Sequence, residues 1–273
     1  MPEVVVRGAL AESARAWLAA GRPTGPPPRP ASTVMLVRDA ETPCGTEVFM
    51  LRRVSSMAFA PSMWVFPGGG VDPRDAGASD WVGPEPPAWA ARMEVPAATA
   101  AELVMAAARE VFEETGVLLA GSPTAVAAPA ADWPAAREAL VARELSFAEF
   151  LAARGLRLRA DLLALQDHWI TPEFEPRRYD TWFFAAVMPQ GQIADDATSE
   201  TDLAEWVDPE RLLAQAEAGE AAMLPPTVTQ LRRLVGASSV ADFVRHREPV
   251  PTIMPVADLR GEDVVLRTEN AGE

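Results

Sequence analysis

The sequence has very few of the side chains that form cross-links or bind soft metals. Its 273 residues include one cysteine, Cys44, and two histidines, His168 and His246. A single thiol excludes an intrachain disulfide, and two imidazoles so far apart in sequence argue against a structural zinc site. A metal in this protein would have to be held mainly by oxygen ligands, which favours Mg²⁺ or Mn²⁺.

Positive charge is also scarce. The chain has 24 basic residues against 39 acidic ones, which gives a formal net charge of −15 at pH 7. General binding of nucleic acid needs a basic surface that displaces counterions, so nucleic acid is not predicted as a partner. An anionic small molecule would be repelled by the overall field and would need a local basic patch or a metal ion.

Long hydrophobic segments are missing as well, because no apolar run approaches the roughly 18 residues that span a bilayer. The apolar stretch near the N-terminus carries Arg7, Glu12 and Arg15, so it does not resemble the apolar region of a secretory signal. The last residues, 269–273, do not form a peroxisomal address. We therefore expect a cytoplasmic protein without a membrane partner.

The chain divides by composition into three parts. Residues 1–30 form an N-terminal appendage, in which a helix at 9–20 is followed by a linker with five prolines between Gly21 and Pro30. Residues 31–248 form the main domain, with an insert at about 76–99. Residues 249–273 form a C-terminal tail, in which one or two short strands are expected, at 252–254 and 264–267.

Alternating strand and helix patterns within the main domain indicate an α/β fold with a mixed sheet. Strands are predicted at 32–38, 47–53, 64–66, 161–170, 180–188 and 203–207. Helices after the central one are predicted at 134–144, 147–154, 209–218, 227–235 and 239–245. Propensity alone does not determine the order of the strands.

A cluster of acids on the central helix is the strongest functional signal. Glu110, Glu113 and Glu114 are spaced i, i+3, i+4, so they project from one face of a helix that ends at Gly116. Such spacing is common on solvated helix faces. Three like charges near a helix C-terminus nevertheless repel one another, and a bound divalent cation is the simplest way to offset that repulsion.

A glycine turn upstream completes a recognisable pattern. The strand at 64–66 runs into Gly68–Gly70, and Arg109 to Val117 reads REVFEETGV. Together these segments resemble the Nudix box, G-x5-E-x7-R-E-U-x-E-E-x-G-U, where U is an aliphatic residue. The second half matches fully, and the first half fits if Gly69 is the glycine of the box and Asp75 replaces its first glutamate.

The two halves of the box are unusually far apart. Ala76 to Ala108 comprises 33 residues where the pattern has seven. The added segment, 76–99, is rich in proline, glycine, alanine and tryptophan, so we expect a surface loop without regular structure that serves as a lid, a specificity loop or a dimer contact. A homodimer is therefore among the expectations. The split box resembles the Nudix subgroup that includes the coenzyme A diphosphatase called nudix motif 19, over residues 31–235.

This resemblance implies a fold and a set of roles. It implies a Nudix-type α/β/α sandwich with a mixed central sheet, here with an N-terminal appendage and extra C-terminal helices. Glu110, Glu113 and Glu114 would bind Mg²⁺ or Mn²⁺, and Arg109 would orient these carboxylates by ion pairing. The general base would be Glu200, which precedes a strand, or Glu114; a solvated loop acid is the alternative for Glu200.

Four arginines and the glycine turn are predicted to bind substrate. Gly68 and Gly69 leave room for metal and phosphate. Arg52 or Arg53, at the end of a strand, would reach a phosphate, unless both are simply solvated. The adjacent arginines at 177–178 would pair with the 3′-phosphate of coenzyme A, or instead with nearby glutamates.

Three functions are compatible with these residues. The first is metal-dependent hydrolysis of a diphosphate linkage in a nucleoside diphosphate derivative, with coenzyme A or acyl-coenzyme A as the substrate that the resemblance implies. The second is hydrolysis of ADP-ribose, a dinucleotide or a nucleotide sugar at the same metal centre. The third is a non-catalytic nucleotide-binding Nudix regulator, which would have no chemical need for the acidic cluster.

Overall fold

The computed structural model describes residues 3–40, 45–54, 62–77, 80–195, 201–247 and 249–270. The helices are α1 (Gly8–Ala19), α2 (Pro86–Met93), α3 (Ala97–Thr115), α4 (Trp133–Val141), α5 (Phe147–Ala153), α6 (Pro209–Glu217), α7 (Pro225–Gly236) and α8 (Val240–Phe243). The strands are β1 (Glu3–Val6), β2 (Arg29–Asp39), β3 (Thr46–Arg53), β4 (Trp64–Val65), β5 (Gly68–Gly70), β6 (Trp81–Val82), β7 (Ala120–Gly121), β8 (Arg157–Arg159), β9 (Ala164–Ile170), β10 (Tyr179–Val187), β11 (Thr201–Val207), β12 (Thr252–Arg260) and β13 (Asp263–Asn270). Within these ranges no helix has the length and hydrophobicity of a membrane span.

A mixed sheet forms the centre of the molecule. Its strands follow the order β1-β13-β12-β9-β10-β2-β3-β11, with β4 added beside β3 and β5 beside β2. Strand β10 is parallel to β2, and β12 is parallel to β9, whereas the other neighbours are antiparallel. A small second sheet has the order β6-β8-β7.

Helices cover both faces of the large sheet. Strand β2 is buried on both sides, as expected for an inner strand: Val34 and Leu36 belong to one apolar cluster, and Met35 and Val37 belong to another. The first cluster includes α2, α3, α4 and α5, and the second includes α6, α7 and α8. This arrangement confirms the predicted α/β/α fold, in which α3 packs against the sheet through its apolar stripe.

The two ends of the chain meet in the same sheet. Strand β1 pairs with β13 in antiparallel fashion, and α1 buries Ala11 and Ala14 against Ala257 and Leu266 of the C-terminal hairpin. The N-terminal helix was predicted, but β1 was not, and the tail strands are longer than the predicted segments. The N-terminal segment and the tail therefore extend the main sheet, whereas the sequence suggested two separate additions.

The prediction that residues 76–99 form an irregular surface loop is wrong. This segment contains β6 and α2, and α3 already begins at Ala97. The prolines at the start of α2 occupy its first turn, where a missing N–H costs nothing. Trp89 and Met93, four residues apart on one face, are buried in the core, and Trp89 contacts Phe184 edge to face at 5.8 Å.

Candidate active site

The glycine turn lies directly against the C-terminal half of α3. The backbone N–H of Gly68 donates a hydrogen bond to Glu114 Oε2 at 2.8 Å. A β-carbon placed on Gly69 would lie 2.5 Å from Glu110 Oε1, closer than real contacts allow. Strand β5 holds this turn in place by pairing with β2. The structure thus brings together the two halves of the split motif. A β-carbon on Gly68 would lie 2.5 Å from the backbone oxygen of Ser32, so this position of the turn requires glycine.

Arg109 connects the acidic side chains to the glycine turn. Its guanidinium donates to both carboxylate oxygens of Asp75, from Nε at 2.8 Å and from Nη2 at 2.9 Å. Nη1 donates to Glu110 Oε1 at 2.8 Å and to Glu113 Oε2 at 3.3 Å, and Nη2 also reaches Gly70 O at 3.0 Å. With only 7% of its side chain exposed, Arg109 fixes the orientation of three carboxylates.

Asp75 is held in place from its other side by a short 3₁₀ turn, Pro73–Ala76. Its Oδ2 accepts a hydrogen bond from the backbone N–H of Asp72 at 2.8 Å, while Asp72 Oδ1 accepts from the backbone N–H of Arg74 at 2.9 Å. This reciprocal capping lets the shorter aspartate reach Arg109 from the position where the box pattern has glutamate.

Burial makes the ionised forms of two acids on α3 less stable than they would be in water. Burial raises the pKa of Glu110 to about 7 from an ordinary value of 4.5, although the charge of Arg109 opposes the shift. Burial also raises the pKa of Glu113, again against the charge of Arg109. One arginine therefore does not fully compensate these carboxylates, and a divalent cation would add the missing positive charge.

The residues present fit such a cation. Glu113 Oε1 is buried and has no hydrogen-bond partner among the described residues, so one carboxylate oxygen is left for a ligand. The neighbouring donors are all carboxylate oxygens, as hard cations prefer. In the described ranges no group of three or more acidic, histidine or cysteine side chains is already spaced to hold a metal. Arg109 donates to one oxygen of Glu110 and to one oxygen of Glu113, and the backbone N–H of Gly68 donates to one oxygen of Glu114.

We expect the metal-free protein to lose stability as the pH rises through the range from about 5 to about 7. A raised pKa means that the folded state binds the Glu110 proton more tightly than the unfolded state, so ionisation above pH 7 removes up to about 3 kcal/mol of unfolding free energy. Chemical denaturation in EDTA at several pH values measures this slope.

Glu110→Gln is the control for that measurement, because it cannot ionise. The difference in unfolding free energy between wild type and this variant should change with pH in the stated window and stay flat elsewhere. Added Mn²⁺ should raise the Tm of the wild type more at pH 8 than at pH 6, since the metal binds the carboxylate form. A pH-independent difference would contradict the assignment of a raised pKa to Glu110.

A cavity of about 1580 Å³ opens beside the glycine turn and the α3 acids. Leu10 of α1 and Pro255 and Leu266 of the C-terminal hairpin line it too, so the extended part of the sheet contributes one wall. The arginines that line the cavity are Arg29, Arg53, Arg74, Arg109, Arg137 and Arg143. Seven acidic side chains line the cavity as well, so the arginines offset negative charge there and do not make the cavity positive overall; the acids are Asp72, Glu110, Glu113, Glu114, Glu138, Glu175 and Asp195.

The predicted substrate-binding arginines are placed differently from one another. Arg53 lines the cavity, and its buried Nε has no hydrogen-bond partner among the described residues. Arg52 points elsewhere and forms an exposed ion pair with Asp202 at 2.9 Å. The phosphate-binding role therefore stays a prediction for Arg53, and the neighbouring Arg52 does not line the cavity.

Neither of the adjacent arginines in the loop before β10 lines the cavity. Arg177 is exposed. Arg178 is buried and donates to the carbonyl oxygens of Thr171 at 2.9 Å and Pro26 at 2.8 Å, which ties the N-terminal linker to the sheet. A structural contact with carbonyls replaces the predicted pairing of Arg178 with a phosphate or a glutamate. Glu200, the predicted base, lies outside the described residues.

Sequence reasoning did not identify two residues of α4 that line the cavity, Trp133 and Arg137. The sequence correctly predicted a helix here, at 134–144 where the structure has Trp133–Val141. The sequence did not indicate which element that helix packs against. In the structure Trp133 meets Phe112 of α3 edge to face at 5.6 Å, and this contact places α4 beside the end of the acidic helix.

Comparison with known proteins gives a consistent assignment. Residues 90–234 match the family model described as the NUDT19 Nudix domain. The chain is 30% identical over 277 residues to the acyl-coenzyme A diphosphatase NUDT19 of Gallus gallus, which covers 85% of this chain and 70% of that protein. It is 32% identical over 196 residues to a Caenorhabditis elegans protein named nudix hydrolase 7, covering 72% of this chain but only 57% of that relative.

The fold comparison agrees. The crystal structure of a NUDIX hydrolase from Alicyclobacillus acidocaldarius superimposes with a TM-score of 0.67 at 26% identity, covering 81% of this chain and 97% of that one. Together with the carboxylates of α3 held by Arg109 against the glycine turn, these matches show that the chain belongs to the Nudix hydrolases.

Proposed function

We propose that this protein hydrolyses a diphosphate linkage in a nucleoside diphosphate derivative, with Mg²⁺ or Mn²⁺ as cofactor and coenzyme A or acyl-coenzyme A as leading substrate. The observation that carries the proposal is the network of Arg109, which holds Glu110 and Glu113 beside the glycine turn at the edge of a large cavity. Cleavage of a diphosphate mainly requires positioning and positive charge, and this site is built for both.

Each residue of the site has a distinct task in that reaction. Arg109 orients the carboxylates, and the glycine turn leaves space for a phosphate beside them. A divalent cation held by Glu110, Glu113 and Glu114 would supply positive charge to the phosphoryl oxygens and lower the pKa of the attacking water. Glu114, or Glu200, which directly precedes β11 in the sequence, accepts the proton of that water while the bridging P–O bond breaks.

Two observations support a bulky nucleotide as substrate. The cavity volume of about 1580 Å³ exceeds the 300–1,000 Å³ that is usual for small-molecule sites, so it can take a ligand of the size of coenzyme A. Of the arginines along its walls, Arg53 and Arg137 each have a buried guanidinium nitrogen without a hydrogen-bond partner among the described residues, which suits a ligand with several phosphates. The name of the Gallus gallus relative, an acyl-coenzyme A diphosphatase, points to the same class.

The alternatives use the same site. ADP-ribose, a dinucleotide or a nucleotide sugar carries the same diphosphate and differs only in the groups that the cavity must accept. A non-catalytic regulator is disfavoured, because buried acids with raised pKa values destabilise the fold and only a metal-dependent reaction requires them.

A substrate panel tests the proposal. Purified protein is titrated with Mg²⁺ and Mn²⁺ against coenzyme A, ADP-ribose, NADH and a nucleotide sugar, and products are identified by mass spectrometry. We expect metal-dependent conversion of coenzyme A into phosphopantetheine and adenosine 3′,5′-bisphosphate at the highest kcat/KM. A higher kcat/KM for another member of the panel would replace coenzyme A, and the absence of metal-dependent cleavage throughout would contradict the proposed reaction.

A further inference from the structure

Helix α4 turns one of its faces toward the cavity. Trp133, Arg137 and Val141, spaced by four residues, all line it. The contact of Trp133 with Phe112 fixes the helix at the C-terminal end of α3, next to Glu113 and Glu114. Arg137 is the cationic side chain on this face, and it is 7% exposed.

Two of the three nitrogen atoms of the Arg137 guanidinium bind protein acceptors. Nε donates to the backbone carbonyl of Glu113 at 2.6 Å, and Nη1 donates to Asp195 Oδ1 at 2.5 Å. Asp195 is in turn attached to α3, because its backbone N–H donates to Thr115 O at 2.9 Å. These contacts place a positive charge at the negative end of the helix dipole and hold the guanidinium in one orientation.

The third nitrogen atom, Nη2, is buried and has no hydrogen-bond partner among the described residues. Buried charged donors are normally satisfied, and leaving one unpaired is costly. A guanidinium also matches the geometry of phosphate oxygens better than any other side chain. An unpaired donor on a cavity-lining arginine that is bonded to the backbone of Glu113 is therefore suited to an anionic oxygen of a ligand.

We propose that Arg137 binds the substrate directly, by donating from Nη2 to an oxygen of the diphosphate group. This inference rests on the proposed function and assigns it a substrate contact outside the Nudix box. Because Nε and Nη1 already immobilise the side chain, little conformational entropy is lost when the ligand binds. The competing view is that Arg137 only clamps the end of α3.

Arg154 provides a matched control. Its Nε is likewise buried without a hydrogen-bond partner in the described part of the chain, it donates to the carbonyl of Phe150 at 3.2 Å, and it pairs with Asp132. Unlike Arg137, it does not line the cavity. A variant at either position thus loses a contact that holds the end of a helix. Only a variant at position 137 would also lose a contact with the substrate.

The test compares Arg137→Lys with Arg154→Lys in steady-state kinetics with coenzyme A and Mn²⁺. We expect Arg137→Lys to raise KM about tenfold with kcat changed less than about threefold, because the Nη2 donor is lost while the charge remains. Arg154→Lys should change neither. An unchanged KM for Arg137→Lys, or a fall in kcat alone, would overturn the proposal in favour of the clamp. Arg137→Gln gives the same comparison if the lysine variant melts below the assay temperature.

A binding measurement separates this inference from the proposed function. Calorimetric titration with ADP, used as a diphosphate probe in the presence of Mn²⁺, reports on Arg137 whether or not any substrate is cleaved. If the wild type cleaves nothing but binds ADP about tenfold more tightly than Arg137→Lys, the reaction is wrong and the contact stands. If the wild type cleaves coenzyme A and both proteins bind ADP equally, the reaction stands and the contact is wrong.

Discussion

Glu113→Gln is expected to lower kcat by a factor on the order of 10³ while the protein stays folded. The substitution exchanges a charged metal ligand for a neutral amide, at the residue whose buried Oε1 has no hydrogen-bond partner among the described residues. Because burial raises the pKa of Glu113, the neutral side chain is easier to bury, and the metal-free Tm should stay equal or rise.

The measurement is kcat for coenzyme A over a range of Mn²⁺ concentrations, together with thermal melts in EDTA. Glu102→Gln is the control, since Glu102 lies on the same helix and does not line the cavity. Its turnover and its metal dependence should match those of the wild type. Unchanged turnover of Glu113→Gln at saturating metal would remove Glu113 from the metal site and with it the main support for the mechanism.

Arg109→Met should have the largest effect on stability. It removes the cation that pairs with Asp75, Glu110 and Glu113 and leaves these carboxylates buried without it. Breaking a buried ion pair from one side typically costs about 3–5 kcal/mol. For a domain of this size that corresponds to a fall in Tm of about 10 °C in EDTA. Activity should fall too, because Arg109 donates to both Glu110 and Glu113 and so orients them together.

Arg159→Met is the matched control for that experiment. Arg159 binds Asp161 with the same two-pronged geometry, at 2.7 Å for both contacts, but Asp161 is 32% exposed and can be solvated when the partner is removed. We expect a loss of about 1 kcal/mol or less. Equal melting temperatures for Arg109→Met and Arg159→Met would show that the Arg109 network is not a principal stabilising element.

Local patterns in the sequence were sufficient for much of this fold. The terminal glycine predicted the end of α3 at Thr115, segments rich in valine, methionine, leucine and phenylalanine located the inner strands β2 and β3, and the apolar segment at 180–188 located β10. The acids of α3 followed from their spacing within one helix, whereas the contact between Gly68 and Glu114, 46 positions apart, followed from the resemblance to the Nudix box. Apart from that contact, these features depend on residues close together in the chain.

Features that depend on distant contacts were missed. Proline and alanine in the insert suggested a loop, since the burial of Trp89 against Phe184 requires knowledge of the sheet beneath it. The contact of Arg178 with Pro26 joins residues about 150 positions apart, and the sequence near Arg178 offered only glutamates as partners. The sequence did not indicate a role for Arg137 for the same reason, because the acceptors of its hydrogen bonds belong to Glu113 and Asp195, which lie outside α4.

Helix α2 lies between the two halves of the Nudix box. Its packing helps to explain how the site forms although the two halves are far apart in the sequence. Lengthening the connection between Asp75 and Arg109 from seven to 33 residues raises the entropy cost of loop closure by only about 1.4 kcal/mol, since that cost grows with the logarithm of length. This logarithmic cost applies to a flexible connection, whereas the insert is folded, and packing of side chains such as Trp89 in the core offsets the entropy of ordering it. The ion pair that joins Asp75 to Arg109 therefore does not require a short connection between the two halves of the box.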